Sequence, residues 1–499
     1  MTANVATTES SAPRAARMAV RPGTWLAALA VVLAAAAFIF SGLRSEPHFA
    51  DETAMIAQSY YWTLFKTGRW NHPDWLHYAA FDHPPLPKYA FGLFLDLAGK
   101  PVPENIDWWM NWSGYERIDG RWVQSLRGGD FRPPSDPGVL FWARVPSGIF
   151  GVVGALAAFL IGLQIRGRTF GVVAAALVIV NPLYLTHARR AMSDSFTECL
   201  VLAAVAAGLW GARLVWSNEF RWRDWLLFSV AASVSCGLAA LAKLNGGIAT
   251  AIVLAILSLH WLLAVWIRAQ RTRTPDAPSG LNVSIAPLAT AAVGIASFAV
   301  FVLLNPFMTT RPRLGPDADP KSRELATQGL LDRAKYLVQF RREWSNDALA
   351  APAFQKDWLH TTPERVQMTV WEGFGRYSVL GPRNIRTMEP RPERERFSEY
   401  GRRSSLVWFP LFVWGVACAV RGGWRSFRSG AAPLEWGLIL YAAAVLAIVV
   451  FMIPLNWDRY YLPLQSCAAL VVPYGLASAL DYVRSRLVLK PATNVATNN

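Results

Sequence analysis

Charge is scarce in this chain: charged residues fill 17% of its 499 positions, against 53% hydrophobic. So little charge beside so much apolar surface and 23 Trp excludes an ordinary soluble enzyme. Acid is the scarcer sign, with 34 Asp and Glu against 49 Lys and Arg, which leaves a formal charge of +15. Cysteine is nearly absent. Cys199, Cys236, Cys418 and Cys467 all fall in apolar runs without metal-ligand spacing, so they read as small buried apolar residues and no disulfide framework is implied. Also missing are the short alternating segments of an outer-membrane barrel.

What the chain has instead is long Ala/Leu/Val-rich runs. A helix needs about 20 apolar residues to cross the hydrocarbon core. Ten runs qualify: Thr24 to Leu43, Gly138 to Ile165, Phe170 to His187, Ser195 to Trp216, Trp225 to Ala242, Gly246 to Ile267, Ile285 to Pro306, Leu406 to Val420, Leu434 to Pro454 and Tyr461 to Leu480. The fold class is therefore an all-α polytopic membrane protein, because a helix satisfies its own backbone in lipid.

Alternate connections carry the basic residues. Arg14, Arg17 and Arg21 precede the first run; Arg166, Arg168, Arg213, Arg221, Arg223, Arg268, Arg271, Arg273, Arg421, Arg425, Arg428, Arg484, Arg486 and Lys490 fall on the same side. Lysine and arginine stay on the cytoplasmic side, so both termini are expected there, in the cytoplasmic (inner) membrane. The basic balance needs no nucleic acid. Residues 1–23 and 491–499 read as small, polar, disordered ends, and 24–490 as one membrane domain. Two long outward segments interrupt it, 44–137 and 307–405. Leu86 to Leu97 is too short to span and suits a juxtamembrane or re-entrant helix. Leu325, Leu330, Leu331, Tyr336, Leu337 and Phe340 form an apolar stripe, consistent with a helix lying on the membrane surface. His260, inside a run, reads as a satisfied core residue, and Asn111-Trp112-Ser113 as a chance glycosylation sequon.

The informative residues break the charge rule. On the outward side lie Arg189 and Arg190 in "HARRAMSDSF", Lys243 in "ALAKLNGG" and Arg459 in "NWDRYYLPL", with Arg144 a turn or two inside the second run. Ionic groups at membrane depth are costly and have partners. Asp194 and Glu198, four apart, share a helical face. These charges fit one polar site at the outer leaflet that binds a ligand with a phosphate and a lipid tail. Sugar transfer from such a lipid phosphate to an acceptor hydroxyl needs one carboxylate as base, and the phosphate leaves as an anion held by cations. Asp51 and Glu52, in "PHFADETAMIAQSYYW", stand where that base belongs.

In these motifs the chain resembles the GT-C class of integral-membrane glycosyltransferases, specifically the protein O-mannosyltransferase branch with its bacterial aminoarabinose-transferase relatives. The Asp51-Glu52 pair, "DHPPLPKY", "ARVPSGIFG", "RRAMSDSF" and "NWDRYYLPL" are similar to that family's signatures and come in the same order. The resemblance implies a GT-C-like bundle of about 10–11 helices with juxtamembrane helices in its two outer loops. It implies Asp51 as catalytic base and Glu52 as an acceptor-binding or organising partner in catalysis. It also implies Arg144, Arg190, Lys243 and Arg459 in the lipid-phosphate pocket, with Arg189, Asp194 and Tyr460 beside them. Asp82, His83 and Lys88 would shape the cavity.

The expected reaction is inverting transfer of a sugar from a polyprenyl-phosphate donor to a protein, lipid or glycan acceptor, with no cofactor and no metal. Membrane lipids are the remaining partners expected. The alternatives are a lipid-linked oligosaccharide ligase and a transporter or flippase. A transporter needs polar residues at the bilayer midplane, whereas these charges gather at one face. A metal on Asp51, Glu52 and His83 lacks tight ligand spacing.

Overall fold

The computed structural model describes residues 22–104, 115–118, 121–124, 134, 136–270, 280–316, 318–350, 359–380, 391–452 and 457–488. The expected disorder of both ends and the Asn111 sequon lie outside these, apart from residues 22 and 23, which open the first helix.

The main helices are α1 (Pro22–Phe40), α2 (Ala50–Ala57), α3 (Leu86–Leu97), α4 (Pro137–Arg166), α5 (Arg168–Ile179), α6 (Pro182–Arg189), α7 (Asp194–Val215), α8 (Trp222–Ala242), α9 (Ile248–Gln270), α10 (Gly280–Leu303), α11 (Leu330–Ala350), α12 (Arg391–Arg428), α13 (Leu434–Ala447) and α14 (Leu462–Val488). Among the described residues, nine helices are long and apolar enough to cross a membrane, ten if the bent pair α5–α6 counts as one span. The chain is a multi-pass membrane protein. All ten runs read from the sequence coincide with these elements. Exposed apolar side chains such as Ile295, Leu303 and Leu406, each more than 70% exposed, mark the surface that lipid covers.

Local signals explain the boundaries. Asp136 caps α4 by accepting the Gly138 N–H at 2.7 Å, with Pro137 at the first helical position. Gly167 ends that helix at φ 92°, a conformation that favours glycine, and the chain turns straight into α5. The third run, expected as one helix, is bent by 67°. Its break falls before Pro182, which has no N–H to continue the helical ladder. The Asn181 side chain caps the new helix at Tyr184 N, 3.0 Å, and donates to Gln465 Oε1 at 3.0 Å, so the bend is pinned from α14. Residues 187–190 are thereby turned off the axis of α5.

The main apolar core runs through α4, α5, α7, α8, α9, α13 and α14, with smaller clusters beside it. α3 is a 12-residue helix, too short to span, packed on this core through Phe91, whose ring meets Phe196 edge-on at 5.6 Å. The stripe on residues 325–340 is divided. Leu325 and Leu337 are buried, and Tyr336 and Phe340 close on Phe81 at 5.5 and 5.0 Å, so protein covers that part, while Leu331 is 67% exposed. An amphipathic pattern reports that a face is covered, and either apolar partner satisfies it. Arg333 is buried there, donating to the carbonyls of Leu325, Phe307 and Thr310. One antiparallel hairpin, Tyr115–Ile118 (β1) with Arg121–Gln124 (β2), pairs Tyr115 with Gln124. His260 is fully buried, but among the described residues neither ring nitrogen has a hydrogen-bond partner, against the expectation of a satisfied core histidine.

The ends sort by charge. Arg166, Arg213, Arg268 and Arg428 close the last turns of α4, α7, α9 and α12. At the opposite end lie the C-terminus of α1, α2, the first turns of α4 and α7, Lys243 after α8, and the turn before α14.

Candidate active site

Asp51 and Glu52 occupy the first turn of α2, where acids favour a helix N-terminus, and their environments are opposite. Glu52 is fully buried. Its Oε1 accepts Arg144 Nε at 2.8 Å and Ala191 N at 2.8 Å, and its Oε2 accepts Arg144 Nη2 at 2.8 Å and Phe49 N at 2.9 Å. The remaining N–H groups of Arg144 go to the carbonyls of Leu43, Glu46 and Pro47 at 2.8, 2.8 and 3.3 Å. A guanidinium has five N–H groups, and all five are engaged. Arg144 thus has no N–H left over for the phosphate expected there: it holds Glu52 and the loop after α1, and Glu52 ties α2 to the segment after α6.

The Asp51 side chain is 43% exposed and accepts one bond, from Arg459 Nη1 at 2.6 Å. Arg459 sits in a short helical turn, Asp458–Tyr461, and among the described residues its Nε has no hydrogen-bond partner. Its guanidinium lies over Trp457 and Tyr460 at 4.6 and 5.5 Å, and those rings stack at 5.9 Å with 2° between planes. Lys243 Nζ lies 5.7 Å from the same Tyr460 ring. Tyr460 thus joins both cations, consistent with ring-quadrupole attraction.

Lys243 follows the last turn of α8 in extended backbone and pairs with Asp194 Oδ1 at 2.9 Å. The Leu244–Gly247 turn reverses the chain so tightly that a Cβ on Gly246 would lie 2.0 Å from Ala239 O. Asp194 opens α7. Glu198, one turn further in, meets the Tyr441 hydroxyl at 3.5 Å.

Arg190 is buried, over the Phe49 ring at 4.9 Å, with Nη2 at 3.3 Å from Glu46 Oε1. Among the described residues its Nε and Nη1 have no hydrogen-bond partner, which leaves donors for an incoming anion. Burial raises the Glu46 carboxyl above its usual range, with Arg190, Arg144 and Arg189 opposing. Arg189 turns the other way, onto the Ile39 and Phe38 carbonyls at the end of α1. It anchors a helix terminus and is set apart from the cluster.

The "DHPP" turn forms a flanking group. Asp82 meets Arg341 at 2.9 Å and His83 at 3.5 Å. Burial raises the Asp82 carboxyl, but His83, Arg341 and Lys88 outweigh it and hold it below its usual value. Burial pushes the His83 imidazole down to about 4 against the pull of Asp82, with Arg341, Lys88 and Lys243 adding to the drop. Lys243 is therefore within electrostatic reach of this turn. Lys88, fully buried, donates to the carbonyls of Ala79 and Ala80, and burial brings it down to about 7. It shapes the loop and, fully buried, is closed to a ligand.

Sequence reasoning passed over His187, Asp458 and Glu46. His187 lies between Asp194 and Asp458 at 3.9 and 3.8 Å. Asp458 stands inside the quoted "NWDRYY" and His187 inside "HARR", so both were signalled by position beside residues already chosen. Among the described residues no group of three or more His, Cys, Asp or Glu is placed to hold a metal. A groove of about 770 Å³ along α11, lined by Lys335, Arg342 and Glu343 among others, contains none of these site residues.

The model of the dolichyl-phosphate-mannose-protein mannosyltransferase family matches residues 132–304. That stretch holds Arg144, Arg189, Arg190, Asp194 and Lys243, with two of the five motifs, "ARVPSGIFG" and "RRAMSDSF". No curated protein sequence matches the chain. Among solved structures, the Archaeoglobus fulgidus oligosaccharyltransferase AglB, in complex with an inhibitory peptide and a dolichol-phosphate, is 14% identical over 95% of this chain and 52% of its own, with TM-score 0.42. ArnT from Cupriavidus metallidurans, bound to undecaprenyl phosphate, is 14% identical over 93% of this chain and 63% of its own, with TM-score 0.44. The S. cerevisiae protein O-mannosyltransferase Pmt1–Pmt2 complex, bound to the sugar donor, is 17% identical over 53% of this chain and 34% of its own, with TM-score 0.33. The chain spans about half the length of the archaeal structure it is aligned with.

Proposed function

We propose that the chain is an inverting glycosyltransferase that moves a sugar from a polyprenyl-phosphate donor to an acceptor hydroxyl, with residues 24–490 as its membrane domain. Asp51 takes the proton of the acceptor hydroxyl. The freed oxygen bonds to the anomeric carbon from the face opposite the phosphate, and the carbon–oxygen bond to phosphate breaks with its electron pair going to the leaving lipid phosphate. Arg190, Lys243 and Arg459 face that growing charge, which fixed cations stabilise strongly where water is scarce. Asp82 and His83 border the cavity, and Arg144 with Glu52 keeps α2 in place.

The observation that carries this reading is the half-exposed Asp51 carboxylate, oriented by Arg459 and accessible to an acceptor. The charges cluster at one end of the bundle, which favours chemistry at an interface over the midplane site of a transporter. We place that end outward and both termini in the cytoplasm of a cell with the protein in its inner membrane, because the arginines at the opposite end follow the positive-inside rule. The acceptor is a protein, lipid or glycan hydroxyl.

The test is transfer of a labelled sugar from a polyprenyl-phosphate donor in proteoliposomes. Asp51→Asn is expected to lower the rate by about 10²–10⁴ with insertion and thermal midpoint unchanged. Full transfer by Asp51→Asn would overturn the assignment. Mass spectrometry of the product separates a single sugar from the oligosaccharide of a ligase.

A further inference from the structure

His187 takes no part in the reaction as derived above, yet it lies at the centre of the site. Its ring is 1% exposed. One ring nitrogen faces Asp194 Oδ2 at 3.9 Å and the other faces Asp458 Oδ2 at 3.8 Å. Among the described residues, neither nitrogen and neither facing oxygen has a hydrogen-bond partner. Four buried polar atoms left so are costly, and their mutual placement marks a contact waiting to close. A metal does not explain it, because the two carboxylates face opposite nitrogens of one ring.

Protonation does. A neutral imidazole has one N–H and serves one carboxylate; an imidazolium has two and serves both. The charge count favours the second form once a ligand arrives. Asp51, Asp194 and Asp458 outnumber Lys243 and Arg459, and Arg190 is matched by Glu46. A phosphate adds further negative charge, and His187 is the group placed to offset it.

We propose that His187 is a positioning residue that takes up a proton from solvent when a lipid phosphate docks, its two N–H groups then binding Asp194 and Asp458 together. Asp194 holds Lys243, and Asp458 accepts the Arg459 backbone N–H at 2.6 Å, so one imidazolium sets the separation of both cations. The charged groups that act on the ring are Asp458 and Arg459 on the turn before α14, Asp194 on α7, and Arg190 after α6. The proposal rests on the reading of this site as a lipid-phosphate site.

The test is calorimetric binding of undecaprenyl phosphate to the full-length protein in detergent near neutral pH, in two buffers of different ionisation enthalpy. The wild type is expected to take up about one proton per phosphate bound. His187→Gln is expected to bind about tenfold more weakly and to take up none. In transfer assays the wild-type KM for the lipid-linked donor should rise with pH while kcat changes little, and His187→Gln should flatten that profile. Binding without proton uptake by the wild type, or unchanged uptake by His187→Gln, overturns the role of His187. No binding of undecaprenyl phosphate by the wild type instead overturns the lipid-phosphate reading itself.

Discussion

Glu52 and Arg144 meet in a two-pronged hydrogen bond, 2.8 Å at each prong, across 92 positions of sequence. Both side chains are buried, and the pair is closed to solvent and to ligand alike. Glu52 and its neighbour Asp51 are thus divided between holding the loop and facing the cavity.

Removing one partner of such a pair strands a buried charge. Glu52→Gln is expected to destabilise the protein by about 3–5 kcal/mol, read as a lower thermal midpoint and poor yield in detergent. The double change Glu52→Gln with Arg144→Met should recover part of that loss. A wild-type midpoint for Glu52→Gln alone would refute the structural role.

Arg459→Lys keeps the charge but loses the planar fork that reaches Asp51 while lying over Trp457 and Tyr460. We expect kcat to fall by about 10–100-fold through misorientation of Asp51, with a smaller change in donor affinity. Steady-state kinetics distinguishes the two, and a raised donor KM with kcat unchanged would point to a binding role only.

Two adjacent glycines provide a matched control for Lys243. A Cβ on Gly246 would meet Ala239 O at 2.0 Å, whereas one on Gly247 meets nothing within 4 Å. Gly246→Ala should shift the turn, raise the donor KM several-fold and lower the thermal midpoint. Gly247→Ala should leave both within error, and the same response from the pair would show that the turn does not set Lys243.

His83 links stability to pH. Its value is about 4 when folded and 6.5 when unfolded, so between those limits the unfolded chain binds more protons and stability rises with pH. The gain should be complete above pH 6.5 and absent below about 4. Lys88, at about 7 instead of 10.5, adds a second rise between those values. Thermal midpoints across pH should show both steps, and His83→Asn should remove the lower one alone.

The spans were legible because hydropathy reports lipid directly, and even the bent third run was found as apolar length; only Pro182 hinted that it breaks. The cluster of Asp194, Lys243, Arg190 and Arg459 was legible as charge where the membrane disfavours it. Direction was not. Arg144, Arg189 and Arg190 are equivalent as letters, yet one is saturated by Glu52 and carbonyls, one caps α1, and one keeps free donors. Burial of the stripe at Leu325 and Leu337 was also legible, but a periodic pattern does not say whether protein or lipid lies across it. His187 carried no signal beyond its neighbours, because its meaning depends on Asp458, far away in the chain.

Asp51 finds Arg459 only 408 residues later. A chain that has reached only the end of α13 already carries Asp51 but not Arg459. Their contact therefore waits for the turn before α14, and until that turn has been made α2 presents its first acid without the cation that orients it.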